Sequence, residues 1–153
     1  HWRRFLELPV AVIVYRDPLE IAASLAKRNG MPLDYALALW EYYAVGILSS
    51  TRKIPRIFLY YDELLKTPVK ACEALYKELA AFGVRRLEMP GQREIRIFID
   101  PKLYRARPAA GGKLSATQSQ LAAWLRGEKE APEDLVVSEN AQAIMKAGLP
   151  PRA

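Results

Sequence analysis

Residues 9–30 of this chain read PVAVIVYRDPLEIAASLAKRNG, an apolar run that passes through a turn into a helical pattern. The apolar run is rich in β-branched residues and does not alternate with polar ones, which is typical of a strand covered on both faces in a parallel sheet. Asp17 and Pro18 then suit the N-cap and the first position of a helix, and Glu20 stands where a capping box needs its acid. The segment predicts a strand, a tight turn and a helix terminated by Gly30 in the left-handed conformation.

The next pattern repeats a helix followed by a strand. A long helix is expected from Pro32 to Ser50, and a second strand over residues 56–61, lying parallel to the first across a right-handed crossover. Two such apolar strands cannot bury both faces or cover their edges. We therefore expect further strands from an N-terminal segment that precedes residue 1, or from a second chain that covers the sheet edge.

The rest of the chain predicts mainly helices. They are expected to begin at Asp62, Thr67-Pro68, Ser115 and Ser138. Between them, Ile95, Ile97 and Ile99 alternate like an edge strand, whereas Phe98 and the surrounding charges favour a loop or a short helix. We predict a main domain over residues 1–126 and a C-terminal extension over residues 127–153 that carries one short helix.

Composition narrows the classes of function. The 153 residues are 51% hydrophobic and 26% charged, the balance of a folded soluble domain, and no apolar run is long enough to cross a bilayer. The net charge of +6 favours an anionic partner, but the basic residues form no stripe with interleaved aromatics, so a small anion is expected in preference to nucleic acid. The single cysteine, Cys72, indicates a reducing compartment such as the cytoplasm. The single histidine, His1, argues against zinc or histidine-based catalysis.

The candidate ligand-binding residues lie at the turn after the first strand and in the helix that follows it. Arg16 is placed at the carboxyl end of that strand, where α/β sheets bind ligands, and Ser24 lies about 10 Å further along the helix axis. Both side chains could hold one phosphate group, through a forked charged contact and a hydroxyl, assisted by the positive end of the helix. The same residues also suit an ordinary helix start with a small packing serine.

The spacing Arg16-x-Pro18 after a buried strand, with Ser24 eight residues beyond the arginine, resembles the 3′-phosphate motif of sulfotransferases that use 3′-phosphoadenosine 5′-phosphosulfate. Further stretches resemble bacterial members of that family in the same order, over about residues 2–126: Trp40, residues 57–65 with Pro68, residues 81–84 and residues 98–103. The resemblance implies an α/β fold: part of a P-loop-type three-layer domain, with a small parallel sheet flanked by helices and with the N-terminal strands and P-loop missing.

The resemblance also implies roles for particular residues. Arg16 and Ser24 would bind the 3′-phosphate, and Tyr61, at the tip of the second strand, would reach the adenine pocket. Tyr61 is equally compatible with a core tyrosine. Arg107 and Lys113 lie where the family closes a late loop over the nucleotide, although a solvated basic loop also accounts for them.

The implied activity belongs to the complete domain. It would transfer a sulfuryl group from 3′-phosphoadenosine 5′-phosphosulfate to a hydroxyl or amine, of a glycan for example, and release adenosine 3′,5′-bisphosphate without a metal. The family's 5′-phosphosulfate loop and catalytic base precede the strand at residues 9–15, so this chain is expected to contribute nucleotide anchorage and no catalytic residue. The alternatives are a non-catalytic nucleotide-binding or assembly module on the same scaffold, and a relative of the nucleotide kinases.

Overall fold

The structure is a computed structural model that describes residues 9–100 and 112–148. These residues form an α/β fold with a small parallel sheet and helices. In chain order the elements are β1 (Ala11–Tyr15), α1 (Pro18–Asn29), α2 (Leu33–Ser50), β2 (Arg56–Tyr60), α3 (Tyr61–Lys66), α4 (Pro68–Ala81), α5 (Gln92–Phe98), α6 (Ala116–Leu125) and α7 (Glu139–Ala147). The predicted order of strands and helices is confirmed from β1 to α4 and again for α6 and α7.

The described chain divides into two compact units. The sheet unit comprises residues 9–15 and 51–100 and contains β1, β2, α3, α4 and α5. The helical unit comprises residues 16–50 and 112–148 and contains α1, α2, α6 and α7. Each unit is described by itself below.

In the sheet unit, β1 and β2 pair in parallel, as predicted. Their register runs from Ala11 opposite Arg56 to Tyr15 opposite Tyr60, where the two tyrosine rings meet edge-on with centroids 6.2 Å apart. Burial is uneven, because Ile57 is 1% exposed while Val14, on β1, is 55% exposed. Within the described residues β2 is the only strand neighbour of β1, and, as expected, two strands do not bury both faces; cover of β1 by further strands stays a prediction.

The isoleucine repeat before residue 100 forms a helix, α5, and not an edge strand. The carboxylate of Glu94 accepts a hydrogen bond from the backbone N–H of Gly91 at 2.8 Å, which satisfies a donor at the helix start. A helix places Ile95 and Ile99 on one side and Ile97 on the other. Accordingly Ile95 is buried and Ile97 is 70% exposed.

The helical unit is organised around α2, which packs against α1, α6 and α7. One core cluster joins Ala22 of α1 to Ala36 and Leu37 of α2, and it is completed by partly buried apolar residues: Leu19, Leu25, Met31, Leu33 and Leu114. Small residues at the crossing of α1 and α2 allow the two helices to approach closely. Both α6 and α7 pack on α2, although the predicted domain boundary at residue 126 falls between them.

The ends of the helices can be compared with the caps predicted from the sequence. Gly30 ends α1 with φ 66°, as predicted, and Ser115 and Gln118 form the predicted capping box, with both hydrogen bonds at 3.1 Å. Thr67 is the N-cap residue of α4, as predicted, but it makes no side-chain cap hydrogen bond. Its hydroxyl donates instead to the carbonyl of Glu63 at 3.2 Å, which also accepts the backbone N–H of Thr67 at 2.8 Å where α3 ends.

Candidate anion-binding site

The site begins where the chain leaves β1. Arg16 follows the last residue of the strand, and Asp17 forms the N-cap of α1 with φ −54° and ψ 126°. The Oδ1 atom of Asp17 accepts hydrogen bonds from the backbone N–H groups of Leu19 at 2.8 Å and Glu20 at 3.4 Å. This cap fixes the start of the helix and so fixes where the side chain of Arg16 leaves the backbone.

Arg16 forms an ion pair with Glu20. Its Nε lies 3.2 Å from Oε2 of the glutamate, and the two side chains are 22% and 13% exposed. The predicted capping box at this helix is therefore only half formed, since the Glu20 carboxylate contacts the arginine where a capping box would turn it to the N–H of Asp17. The guanidinium stays close to the first turn of α1.

Ser24 lies on the same side of α1 as this ion pair. Glu20 and Ser24 are four residues apart, a spacing that makes them neighbours on a helix surface. Ser24 as a whole residue is half-buried. Glu20 and Ser24 thus form one row along α1, and the ion pair holds Arg16 beside the Glu20 end of this row.

The backbone N–H groups at the start of α1 are less available to an anion than was expected. Pro18 has no N–H, those of Leu19 and Glu20 donate to the Asp17 side chain, and that of Ile21 donates to the Asp17 carbonyl at 3.0 Å. The first-turn donors are therefore already satisfied, and two carboxylates stand beside them. An anion here would therefore receive its hydrogen bonds from side chains, and the expected help from the positive end of the helix stays a prediction.

Two other predicted nucleotide ligands, Arg107 and Lys113, come from a later part of the chain than α1. Lys113 is exposed, and the next residue, Leu114, packs against the core cluster of α1 and α2. This contact anchors the backbone beside Lys113 to the helix that carries Ser24. Arg107 lies outside the described residues.

Tyr61 belongs to the sheet unit and begins α3, because β2 ends one residue earlier than predicted. It is half-buried. The carboxylates of Asp62 and Glu63, which follow Tyr61, were expected to cap this helix. The N-cap residue is instead Tyr60, which makes no side-chain cap hydrogen bond. Asp62 instead accepts a hydrogen bond from Nζ of Lys66 at 3.0 Å, and this bond lowers the pKa of the carboxyl.

Comparison with family models, with curated proteins and with solved structures returned no match. Within residues 9–100 and 112–148, no three side chains of His, Cys, Asp or Glu come together as a metal ion would require. In the same ranges, no helix has the length and apolar character needed to cross a bilayer. The chemistry of the site must therefore be argued from its own side chains.

Sequence reasoning missed the most deeply buried charged group that the structure describes. Glu41 of α2 is 0% exposed. Its Oε2 accepts from Nε2 of Gln118 at 3.2 Å, and its Oε1 accepts from the backbone N–H of Ser138 at 2.7 Å. The signal was available, because Glu41 lies four residues from both Leu37 and Val45 and so falls within the buried stripe of α2.

The sheet unit also contains an open groove, with a volume of about 740 Å³, between α4, α5 and the residues that precede α5. Apolar side chains line most of it, including Met89, Ile97 and Phe98. Cys72 of α4 also lines it, and burial raises the pKa of this thiol. A raised pKa lowers the fraction of thiolate at neutral pH, and the thiolate is the nucleophilic form.

Proposed function

We propose that this chain anchors the 3′-phosphate of a nucleotide between Arg16 and Ser24, as part of a sulfotransferase-type domain of three-layer P-loop architecture. The observation that carries the proposal is the row on α1. The guanidinium of Arg16 is held 3.2 Å from Glu20, which is one helical turn from Ser24 on the same side of the helix. One phosphate group above this row would meet both a cation and a hydroxyl.

The chemistry of the row favours a phosphate over a neutral guest. A guanidinium presents several N–H donors in a plane and binds phosphate through charge-assisted hydrogen bonds, each contributing about 1.5–3 kcal/mol. The serine hydroxyl adds a donor that also tolerates a neutral ribose oxygen. Lys113 and the net charge of +6 raise the local concentration of anions.

The proposed role is positioning. In the complete domain the acceptor hydroxyl or amine would attack the sulfuryl group in line, while cations neutralise the transferring group, as in phosphoryl transfer. Arg16 and Ser24 would hold the far end of the donor, 3′-phosphoadenosine 5′-phosphosulfate, so that its sulfuryl group has a fixed place. A glycan is the acceptor we propose to test first.

The test is ligand choice, measured by thermal shift and calorimetry at low salt. Adenosine 3′,5′-bisphosphate is expected to raise the melting temperature more than 5′-AMP or ATP does, because only the bisphosphate carries a 3′-phosphate. Arg16→Ala should abolish that difference. The matched control is Arg28→Ala, which removes an arginine from the exposed last turn of the same helix and should preserve it.

Two outcomes separate the alternatives. Equal shifts with all three nucleotides, or no shift with any, would contradict the proposal. A magnesium-dependent preference for ATP would contradict it and favour a kinase-like site. A selective response to the bisphosphate, with no sulfuryl transfer when the chain is part of a complete domain, would favour the non-catalytic nucleotide-binding module.

A further inference from the structure

We infer that Glu20 is a positioning residue for the anion site: its carboxylate holds the guanidinium of Arg16 over the row that Ser24 shares. This inference rests on the proposed function, since it concerns how the same site is organised before the nucleotide arrives. It assigns a favourable role to a negative charge in an anion-binding site.

The burial of the pair distinguishes it from ordinary surface contacts. The side chains of Arg16 and Glu20 are 22% and 13% exposed, against 74% and 56% for Lys66 and Asp62. Exposed pairs contribute little, because water screens them and two long side chains lose freedom. Reduced exposure of both partners gives the Arg16–Glu20 contact a stronger hold on the arginine geometry than a solvent-exposed pair has.

The atoms involved explain what the contact achieves. Glu20 receives the Nε–H of the guanidinium, which lies on one edge of the planar group. Holding that edge fixes both the plane and the direction of the side chain. An arginine that is already ordered loses less rotamer freedom when it binds an anion, so affinity rises through preorganisation.

A second effect of Glu20 acts in the opposite direction, because its negative charge repels the bound phosphate. Two substitutions separate the effects. Glu20→Ala and Glu20→Gln both remove the charge, but only glutamine keeps a side-chain oxygen that can accept from Nε of Arg16. The difference in affinity between the two variants therefore measures positioning alone.

The experiment is calorimetric titration of each variant with adenosine 3′,5′-bisphosphate. Glu20→Ala is expected to bind about tenfold more weakly than Glu20→Gln, the size expected when an ordered arginine becomes mobile. In the Arg16→Ala background the same two substitutions should give equal affinities, as a double-mutant cycle requires if Glu20 acts through Arg16. If the two Glu20 variants bind equally well while Arg16 is present, or if Glu20→Ala binds more tightly than Glu20→Gln, the inference is overturned.

The Glu20→Ala variant is expected to remain folded, so that weaker binding reports on the site and not on unfolding. Alanine is the best helix former, so Glu20→Ala leaves α1 intact on intrinsic grounds, and melting without ligand checks this. As a second measurement, the Nε–H signal of Arg16 by NMR should be protected from exchange in the wild type and in Glu20→Gln, and exposed in Glu20→Ala. Equal exchange in all three would also overturn the inference.

The binding experiments distinguish failure of the inference from failure of the proposed function. If the wild type does not bind the bisphosphate, or Arg16→Ala binds it equally well, both are overturned. If binding depends on Arg16 but the two Glu20 variants match, only the positioning role is overturned.

Discussion

The carboxylate of Glu41 accepts a hydrogen bond at 2.7 Å from the backbone N–H of Ser138, 97 residues further along the chain. Its second oxygen accepts from the side chain of Gln118. The buried side chain of Glu41 on α2 therefore accepts hydrogen bonds from the N-cap residue of α7 and from the first turn of α6. A charge that is 0% exposed is tolerated only when its oxygens are satisfied in this way.

Glu41→Ala is expected to destabilise the fold strongly. It would leave two donors without their acceptor in the interior, each at a cost of about 1–3 kcal/mol, and we expect a total loss of about 2–4 kcal/mol. Urea unfolding measures the loss. Glu73→Ala, at an exposed position of α4, is the control and should change stability by less than about 0.5 kcal/mol. Similar losses for the two variants would show that the Glu41 contacts contribute nothing.

Ser138→Ala should have a smaller effect than Glu41→Ala. The substitution removes the hydroxyl that accepts from Ala141 at 3.3 Å, a helix cap whose loss costs about 1 kcal/mol. It keeps the backbone N–H that donates to Glu41. Hydrogen exchange should show faster opening of α7, with α1 unchanged. A loss as large as that of Glu41→Ala would mean that the hydroxyl, and not the backbone contact, secures this helix.

Lys113→Ala is expected to weaken binding of adenosine 3′,5′-bisphosphate by about threefold at low salt, because an exposed lysine acts on the nucleotide through a screened charge. Titrations at low and high salt check this, and the effect should vanish at high salt. Lys146→Ala, in the exposed last turn of α7, is the control. A loss that persists at high salt would instead indicate a direct hydrogen bond.

The thiol of Cys72 should react slowly at neutral pH. Burial raises its pKa, so the thiolate fraction is lower than in an unfolded chain. Because this is the only cysteine, alkylation by iodoacetamide followed by mass spectrometry reports on it alone. The midpoint of the rate against pH should lie higher in the native protein than in urea. A native midpoint equal to or below the unfolded one would contradict the prediction.

The Asp62–Lys66 pair should contribute little, and only above acid pH. The lysine hydrogen bond, together with its charge, lowers the pKa of Asp62 in the folded state. Its stabilisation is therefore complete above the ordinary carboxyl pKa and is lost as pH falls through the lowered value. Because both side chains are largely exposed, Asp62→Asn should cost less than about 0.5 kcal/mol at neutral pH, and the cost should be smaller at about pH 2.5. Urea unfolding at both pH values checks this.

Much of the fold was predictable because its signals are local. The start of α1 depends on Asp17 and Pro18, within one turn of each other, and the end depends on Gly30. The parallel pairing of β1 and β2 followed from two apolar strands joined by helices. The isoleucines from residue 95 to 99 were ambiguous, because a spacing of two suits a strand and a spacing of four suits a helix.

The candidate site was predictable in part. That Glu20 and Ser24 are neighbours on one side of α1 follows from helical spacing once the helix start is known. The ion pair between Arg16 and Glu20 is also a contact between near neighbours, but the capping pattern assigned that carboxylate to the backbone. The anchoring of Leu114 beside α1 depends on packing between distant segments, and no pattern around Lys113 indicated it.

By itself the sequence determined where α1 and α6 begin and which side chains are available for the candidate anion site, since caps, turns and helical spacing act over a few neighbouring residues. Only the tertiary structure decided how Glu41 is satisfied and how far each residue of β1 is covered. Partners 77 and 97 residues away, and the cover of a strand, depend on how elements pack against one another. That packing reflects the burial of whole surfaces, which no short stretch of residues encodes.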